Sequence, residues 1–289
     1  MMISFNLLSK GAILHILSQQ LLKFLYLILP MIMIFVSATF FDLFTINTAE
    51  IRPSGFFLEV MFGWLWLFVL AGIMVIFPYN DKITSVTLLF GRENHILAKL
   101  CKDMNIKKPM LLLDSSYTYA YVSRTEVYGY IIAISNNVRD LSKEQLKSVF
   151  AHELAHLKHK DMVASSVWNF FSILFLLKMA VAVVIIASIF ICSLIGLEYE
   201  SLLGNFFFTL VYFLLFASCW LLTMFFKIRF SHAAEYLADA TAARAVGSGK
   251  WLVEFLGINF RKESFFANIL SSHPSDKQRI RVLDHFNPS

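Results

Sequence analysis

His152 and His156 stand four residues apart, with Glu153 between them, in the run His152-Glu153-Leu154-Ala155-His156. On a helix, residues four apart share one face, so both imidazoles can reach a single metal ion while Glu153 stays beside it, free to handle a proton. This is the H-E-x-x-H pattern of zinc sites, and composition alone would produce it about 0.01 times in such a chain. A catalytic zinc keeps three protein ligands and one open position, so a third ligand must come from elsewhere. The remaining histidines and the acids of the polar segments are all candidates. The most suggestive is Glu235, four residues ahead of Asp239 and therefore on the same helical face. The pair suits a ligating carboxylate plus a second one that accepts the N–H of a ligating imidazole. Ala233, Ala234, Leu237, Ala238 and Ala240 around it are small and apolar, which predicts burial against another helix.

The elements that must hold these groups are legible in outline. Ser142 followed by Gln145 is a capping-box pattern, and Leu146, Val149 and Phe150 continue the helix into the motif. Upstream, helical spacing runs over 81–105 and Pro109 stops it; Met110 to Leu113 is strand-like. Residues 118–123 and 128–135, rich in Tyr, Val and Ile, predict a hairpin with a polar turn near Arg124, Thr125 and Glu126. These readings give an α+β domain.

The composition says where that domain sits. Of 289 residues, 58% are apolar and only 16% charged, which excludes a disordered chain and strains the reading as a soluble globule. Uncharged runs at 24–41, 60–80 and 201–226 are each long enough to approach or span a bilayer, and 162–197 carries only Lys178. One crossing at about 173–196, with Lys178 near the boundary, accounts for the last of these. Basic residues concentrate at 78–165 and 227–289, whereas the intervening loops hold only Arg52, so both termini and the middle segment belong on the cytoplasmic face. The division is therefore 1–80, an amphipathic start and two crossings; 81–165, a polar segment with the motif helix; 166–226, two further crossings; and 227–289, a second polar segment. An even number of crossings returns the chain to the same face, so the two polar segments can build one domain. Cys101, Cys192 and Cys219 cannot form a disulfide framework at this length.

Taken together, H-E-L-A-H-L-K-H-K-D, E-Y-L-A-D, and a late H-P-S-D-K-Q-R-I around four apolar runs resemble the M48 zinc metalloproteases, in particular their membrane-bound HtpX branch. The resemblance implies a zincin-like protease domain, one zinc per chain, and Glu235 as third ligand beside His152 and His156. It implies that Asp239 steadies a ligating histidine, and that His273, with Arg279 following, lines the cleft and stabilises the tetrahedral intermediate. It also implies quality control of membrane proteins at the inner cell membrane. The chain departs from the family where Asn-Ala-Phe-Ala usually precedes the motif helix: here Thr118-Tyr119-Ala120-Tyr121 stands, with Tyr119 in place of the asparagine thought to hold substrate.

The mechanism expected is metal-assisted peptide hydrolysis, with Glu153 as proton acceptor and an extended polypeptide laid along the strand holding Tyr119, Ala120 and Tyr121. Membrane lipid is the other expected partner; nucleic acid is not. Rival readings are a prenyl-protein protease, which would need more crossings, and a non-catalytic zinc-binding membrane scaffold, which has no use for Glu153. Outside this set, His159 reads as solvated, His232, one turn before Glu235, as either a surface residue or a group supporting the site, His15, His95 and His285 as surface residues, and Asp161 equally as a supporting acid or a boundary charge.

Overall fold

The computed structural model describes residues 17–23, 86–116, 118–125, 128–169, 199–258 and 273–284, with single positions at 25, 172, 183, 187 and 191. Two compact units partition the chain. One comprises Met1–Phe24, Pro78–Ala164 and Ile228–Ser289; the other comprises Leu25–Phe77 and Ser165–Lys227. The apolar runs at 24–41 and 60–80 and the crossing at 173–196 lie outside the described residues, apart from single positions.

The first unit is built on a four-stranded mixed sheet. Strand β1 (Val86–Leu88) runs antiparallel to β2 (Met110–Asp114), β2 runs parallel to β4 (Gly129–Ile134), and β4 pairs antiparallel with β3 (Ala120–Thr125), giving the order β1-β2-β4-β3. β4 lies inside the sheet and is covered on both faces: Ile131, Ile132, Ala133 and Ile134 are all fully buried. That two-sided cover is why its sequence is a continuous apolar run rather than an alternation. Ile132 and Ile134 join the main core, whereas Ile131 and Ala133 meet Leu112 on the other face, with Met110 and Tyr121 packed alongside. β3 is an edge strand, as β1 is on the other side, and it lies against the motif helix.

Helix α1 (Arg92–Met104) follows β1, a four-residue turn of helix α2 (Asn136–Arg139) follows β4, and α3 (Lys143–Lys158) carries the motif. The reciprocal cap that starts α3 is present: Ser142 Oγ accepts from Gln145 N and Gln145 Oε1 accepts from Ser142 N. Leu146, Phe150 and Leu154, one turn apart, are fully buried in the core that α3 shares with α1 and with α5 (Lys250–Ile258). The long helix α4 (Tyr199–Val246) contributes to this unit from Ile228 onward, through Ala238, Ala240, Ala242 and Ala243, and α6 (Asp276–Leu283) closes the core with Leu283.

Two local expectations are corrected. The helix expected over 81–105 begins only at Arg92, because Val86–Leu88 pairs with β2 and Gly91, at φ 90°, turns the chain in between. Its end at Met104 lies within a residue of the expected one, where Asn105 adopts the left-handed conformation (φ 55°) that closes a helix. Arg124 and Thr125 belong to β3 rather than to the turn, and Thr125 Oγ1 instead accepts from Tyr128 N at 3.0 Å.

In the second unit, Trp168 is buried, Ser172 Oγ donates back to its carbonyl, and Lys227 Nζ donates to Asn169 Oδ1 at 2.8 Å. The uncharged run 201–226 lies within the backbone of α4. Among the residues whose side chains are described, no helix is long and apolar enough to cross a membrane.

Candidate metal centre

The motif histidines come from one face of α3, and Glu235 and Asp239 come from the alanine-lined face of α4. The predicted burial holds: Ala233, Ala234, Leu237, Ala238 and Ala240 are all buried. One donor atom each from His152, His156 and Glu235 lie within 4.8 Å of one another. His152 Nε2 and His156 Nε2 are 3.1 Å apart, with their rings nearly perpendicular at 88°. Glu235 Oε2 lies 3.3 Å from His152 Nε2, and Glu235 Oε1 lies 3.7 Å from His156 Nε2. Zinc bonds of about 2.0–2.2 Å in a tetrahedron place neighbouring donors roughly 3.3–3.6 Å apart, so this triangle has the right size for one zinc ion.

The opposite nitrogens explain why both Nε2 atoms point inward. His152 Nδ1 donates to Asp239 Oδ1 at 2.9 Å, and His156 Nδ1 donates to Asp161 Oδ2 at 2.8 Å. Each carboxylate holds a proton on Nδ1 and turns Nε2 toward the shared point, where a metal ion would take the place of any Nε2 proton, the arrangement that metal-binding imidazoles require. Asp161 reaches back because the chain breaks after α3: Lys160 takes a left-handed φ of 56° before helix resumes at 161–169. Asp239 is in turn gripped by Arg279 on α6, whose Nη2 and Nε donate to its two oxygens at 2.6 and 2.8 Å. Arg279 Nη1 also lies 3.4 Å from Glu235 Oε2.

The electrostatics fit a cation. Burial opposes ionisation of Glu235 and of Asp239, yet Arg279 and the imidazoles hold both carboxyls below their usual range. Asp161 is likewise opposed by burial and held low by His156 and Lys23. Arg279 and Lys23 pair with these three carboxylates, which leaves one negative charge over between them. The deficit surfaces on His152, where burial works against protonation but bonds to Asp239 and Glu235 override it and raise the pKa to about 10. A proton held so tightly in a buried site marks a place where positive charge is wanted. Glu153 behaves in the opposite way: burial pushes its carboxyl up against the pull of His152 and His156. His273, mostly exposed at 65%, turns Nδ1 toward Glu235 Oε1 at 2.9 Å, and that bond raises its pKa against the effect of burial.

The sequence profile of Peptidase family M48 matches residues 87–287, which include every residue of the metal centre described above except Lys23. This chain belongs to peptidase family M48. Members of the family are zinc-dependent metallopeptidases, and this M48 chain is an HtpX-like protease, a hydrolase acting on polypeptides. It is similar to the Protease HtpX homolog of Persephonella marina, at 25% identity over 220 residues covering 65% of this chain and 72% of the relative. Protease HtpX of Shewanella baltica is 27% identical over 207 residues, covering 65% and 71% of the two chains. The Protease HtpX homolog of Helicobacter pylori is 24% identical over 271 residues, covering 83% and 84%.

Within this M48 domain, the strand residues divide. Tyr121 sends its hydroxyl to Asp114 Oδ2 at 2.7 Å, Ala120 packs against the main core, and Tyr119 accepts from Ser135 N through its carbonyl. His159 is not simply solvated: it is half-buried and shares a hydrogen bond with Thr241 Oγ1 at 3.0 Å, with burial as the first cause lowering its pKa to about 4. His95 is exposed, as expected, and His15 and His285 lie outside the described residues. Asp161, left open between two roles, is a hydrogen-bond partner of His156. Lys23 was not anticipated at all. Its only sequence signal is position, as the last charge before an apolar run, which reads as a membrane flank.

Proposed function

We propose that this chain is a membrane-embedded zinc endopeptidase that cleaves unfolded or frayed polypeptides, membrane proteins among them, at the cytoplasmic face of the inner cell membrane. Four crossings, with the protease domain assembled from 81–165 and 227–289, are supported by the uncharged runs and by the one-sided distribution of basic residues. Quality control of membrane proteins is the role this placement suits.

The observation that carries the reading is the pair of imidazoles, each with Nδ1 held by a carboxylate, whose Nε2 atoms converge with Glu235. His152, His156 and Glu235 would hold the ion. Zinc, when bound, supplies Lewis acidity toward water and the scissile carbonyl. Glu153 accepts a proton from the attacking water and delivers it to the leaving amine; its burial, which raises the carboxyl pKa, suits a group that must both take up and release a proton. His273, exposed enough for a bound chain to reach, donates to the developing oxyanion, an effect worth about 3 kcal/mol at comparable donors. Asp239 and Arg279 hold His152 in place. The edge strand β3, lying against α3, offers a backbone for an extended substrate to pair with near Tyr119, Ala120 and Tyr121.

The decisive experiment assays purified wild type and Glu153→Gln in detergent or lipid on casein-like and membrane substrates, with and without chelator. Wild type should hold about one zinc and lose activity with chelator. Glu153→Gln should keep its zinc and lose cleavage by about a hundred- to ten-thousandfold. A variant that still cleaves at near the wild-type rate would remove Glu153 from the chemistry.

A further inference from the structure

Lys23 is a buried ammonium, 9% exposed, on the helical stretch at 17–23, far from the motif in sequence. Its Nζ forms an ion pair with Asp161 Oδ1, while Asp161 Oδ2 accepts from His156 Nδ1. Each carboxylate oxygen therefore has its own partner, and the plane of the carboxylate is fixed from both sides. The ammonium also lies 5.4 Å from the ring centroid of Phe230, a buried residue of α4 five positions ahead of Glu235, within range of a cation–π attraction. Burying a lysine is unfavourable unless its charge is matched, and here the match is with an acid whose other oxygen touches a motif histidine.

We propose that Lys23 is a positioning residue of the metal centre. Its ammonium locks the Asp161 carboxylate so that His156 presents Nε2 to the ion. The N-terminal segment, grouped with the protease segments in one compact unit, is then part of the site and not merely the lead-in to an apolar run. This rests on reading His152, His156 and Glu235 as the zinc ligands.

Two physical roles for Lys23 predict opposite signs. As a bare positive charge near a bound cation, Lys23 repels it, and removing the lysine should tighten zinc binding. As the partner that orients Asp161, it strengthens His156 as a ligand, and removing it should weaken binding, as loss of groups supporting a ligand does by about 10–100-fold.

The test uses the full chain in detergent, stripped of metal, with zinc affinity read by competition with a chromophoric chelator. The visible absorption of the cobalt-loaded protein reports ligand geometry separately. Lys23→Met, which keeps the apolar stem, should weaken zinc binding by about tenfold and alter the cobalt bands. Asp161→Asn should weaken binding at least as much, and the double variant should bind no worse than Asp161→Asn alone, because Lys23 acts through Asp161. Lys23→Gln gives the same comparison should the methionine variant not fold. Zinc binding by either Lys23 variant as tight as wild type or tighter, or losses from Lys23 and Asp161 that add in full, would overturn the positioning role. A wild type that holds no zinc would instead overturn the site itself, so the two failures are distinct.

Discussion

The two motif histidines are supported from unlike parts of the chain. His152 rests on Asp239, which is fully buried and gripped through both oxygens by Arg279, and the same guanidinium lies beside Glu235. His156 rests on Asp161, at the margin of burial, which meets the single ammonium of Lys23. The pattern of imidazole, carboxylate and cation is the same, but the hardware is not. A guanidinium presents a planar fork that fixes a carboxylate's orientation, whereas an ammonium is a point charge on a flexible stem. One side of the centre is thus rigid and tied to a third donor, and the other depends on a segment from the start of the chain.

The largest expected effect breaks the rigid side. Arg279→Met leaves Asp239 and Glu235 buried without their main compensating charge, and removing one partner of a buried ion pair typically costs about 3–5 kcal/mol. Zinc would offset part of that by supplying positive charge, so the apo protein should suffer more than the loaded one. Thermal unfolding with and without zinc checks this. An Arg279→Met variant no less stable than Lys23→Met would show that the two supports are equivalent and erase the contrast.

A smaller effect compares the carboxylates directly. Asn at position 239 or 161 keeps the shape but can offer an N–H to Nδ1, which disturbs the tautomer that leaves Nε2 free. Each change should weaken zinc binding by about 10–100-fold. Asp239→Asn should lie at the upper end, since it also strands Arg279, and Asp161→Asn at the lower. Equal losses in a chelator titration would mean that the partner's geometry matters less than the carboxylate alone.

The same contrast explains what could be read from the sequence. Everything fixed by spacing within one helix was legible: the pair His152 and His156, the pair Glu235 and Asp239, and the alanines that bury the latter. The capping box at Ser142 and the apolar β4 were equally plain, because local periodicity encodes them. Asp161 stayed ambiguous because its contact depends on the left-handed turn at Lys160, which no residue type there announces. Lys23 was hidden because its partner lies 138 residues away, and a lysine at the edge of an apolar run has an ordinary explanation. The strand Val86–Leu88 was missed for a related reason: three residues are too few for a period, and only pairing with β2 reveals them.

The smallest expected effect tests how far the charge of Lys23 reaches. His159 closes α3 and is kept neutral first by burial and then by the nearby Lys23, so its pKa falls from 6.5 to about 4. The unfolded chain therefore takes up this proton near pH 6.5, while the folded one resists until about pH 4. In that window the unfolded state binds more protons, so stability falls as pH falls; above pH 6.5 the group contributes no pH dependence. His159→Gln, which retains a polar group to face Thr241, should show a shallower decline of the unfolding midpoint between pH 6.5 and 4 than wild type. Lys23→Met should show an intermediate decline, because withdrawing the ammonium lets His159 protonate at a higher pH and narrows the window. Identical slopes for wild type and Lys23→Met would confine the influence of Lys23 to Asp161, leaving burial alone to hold His159 neutral.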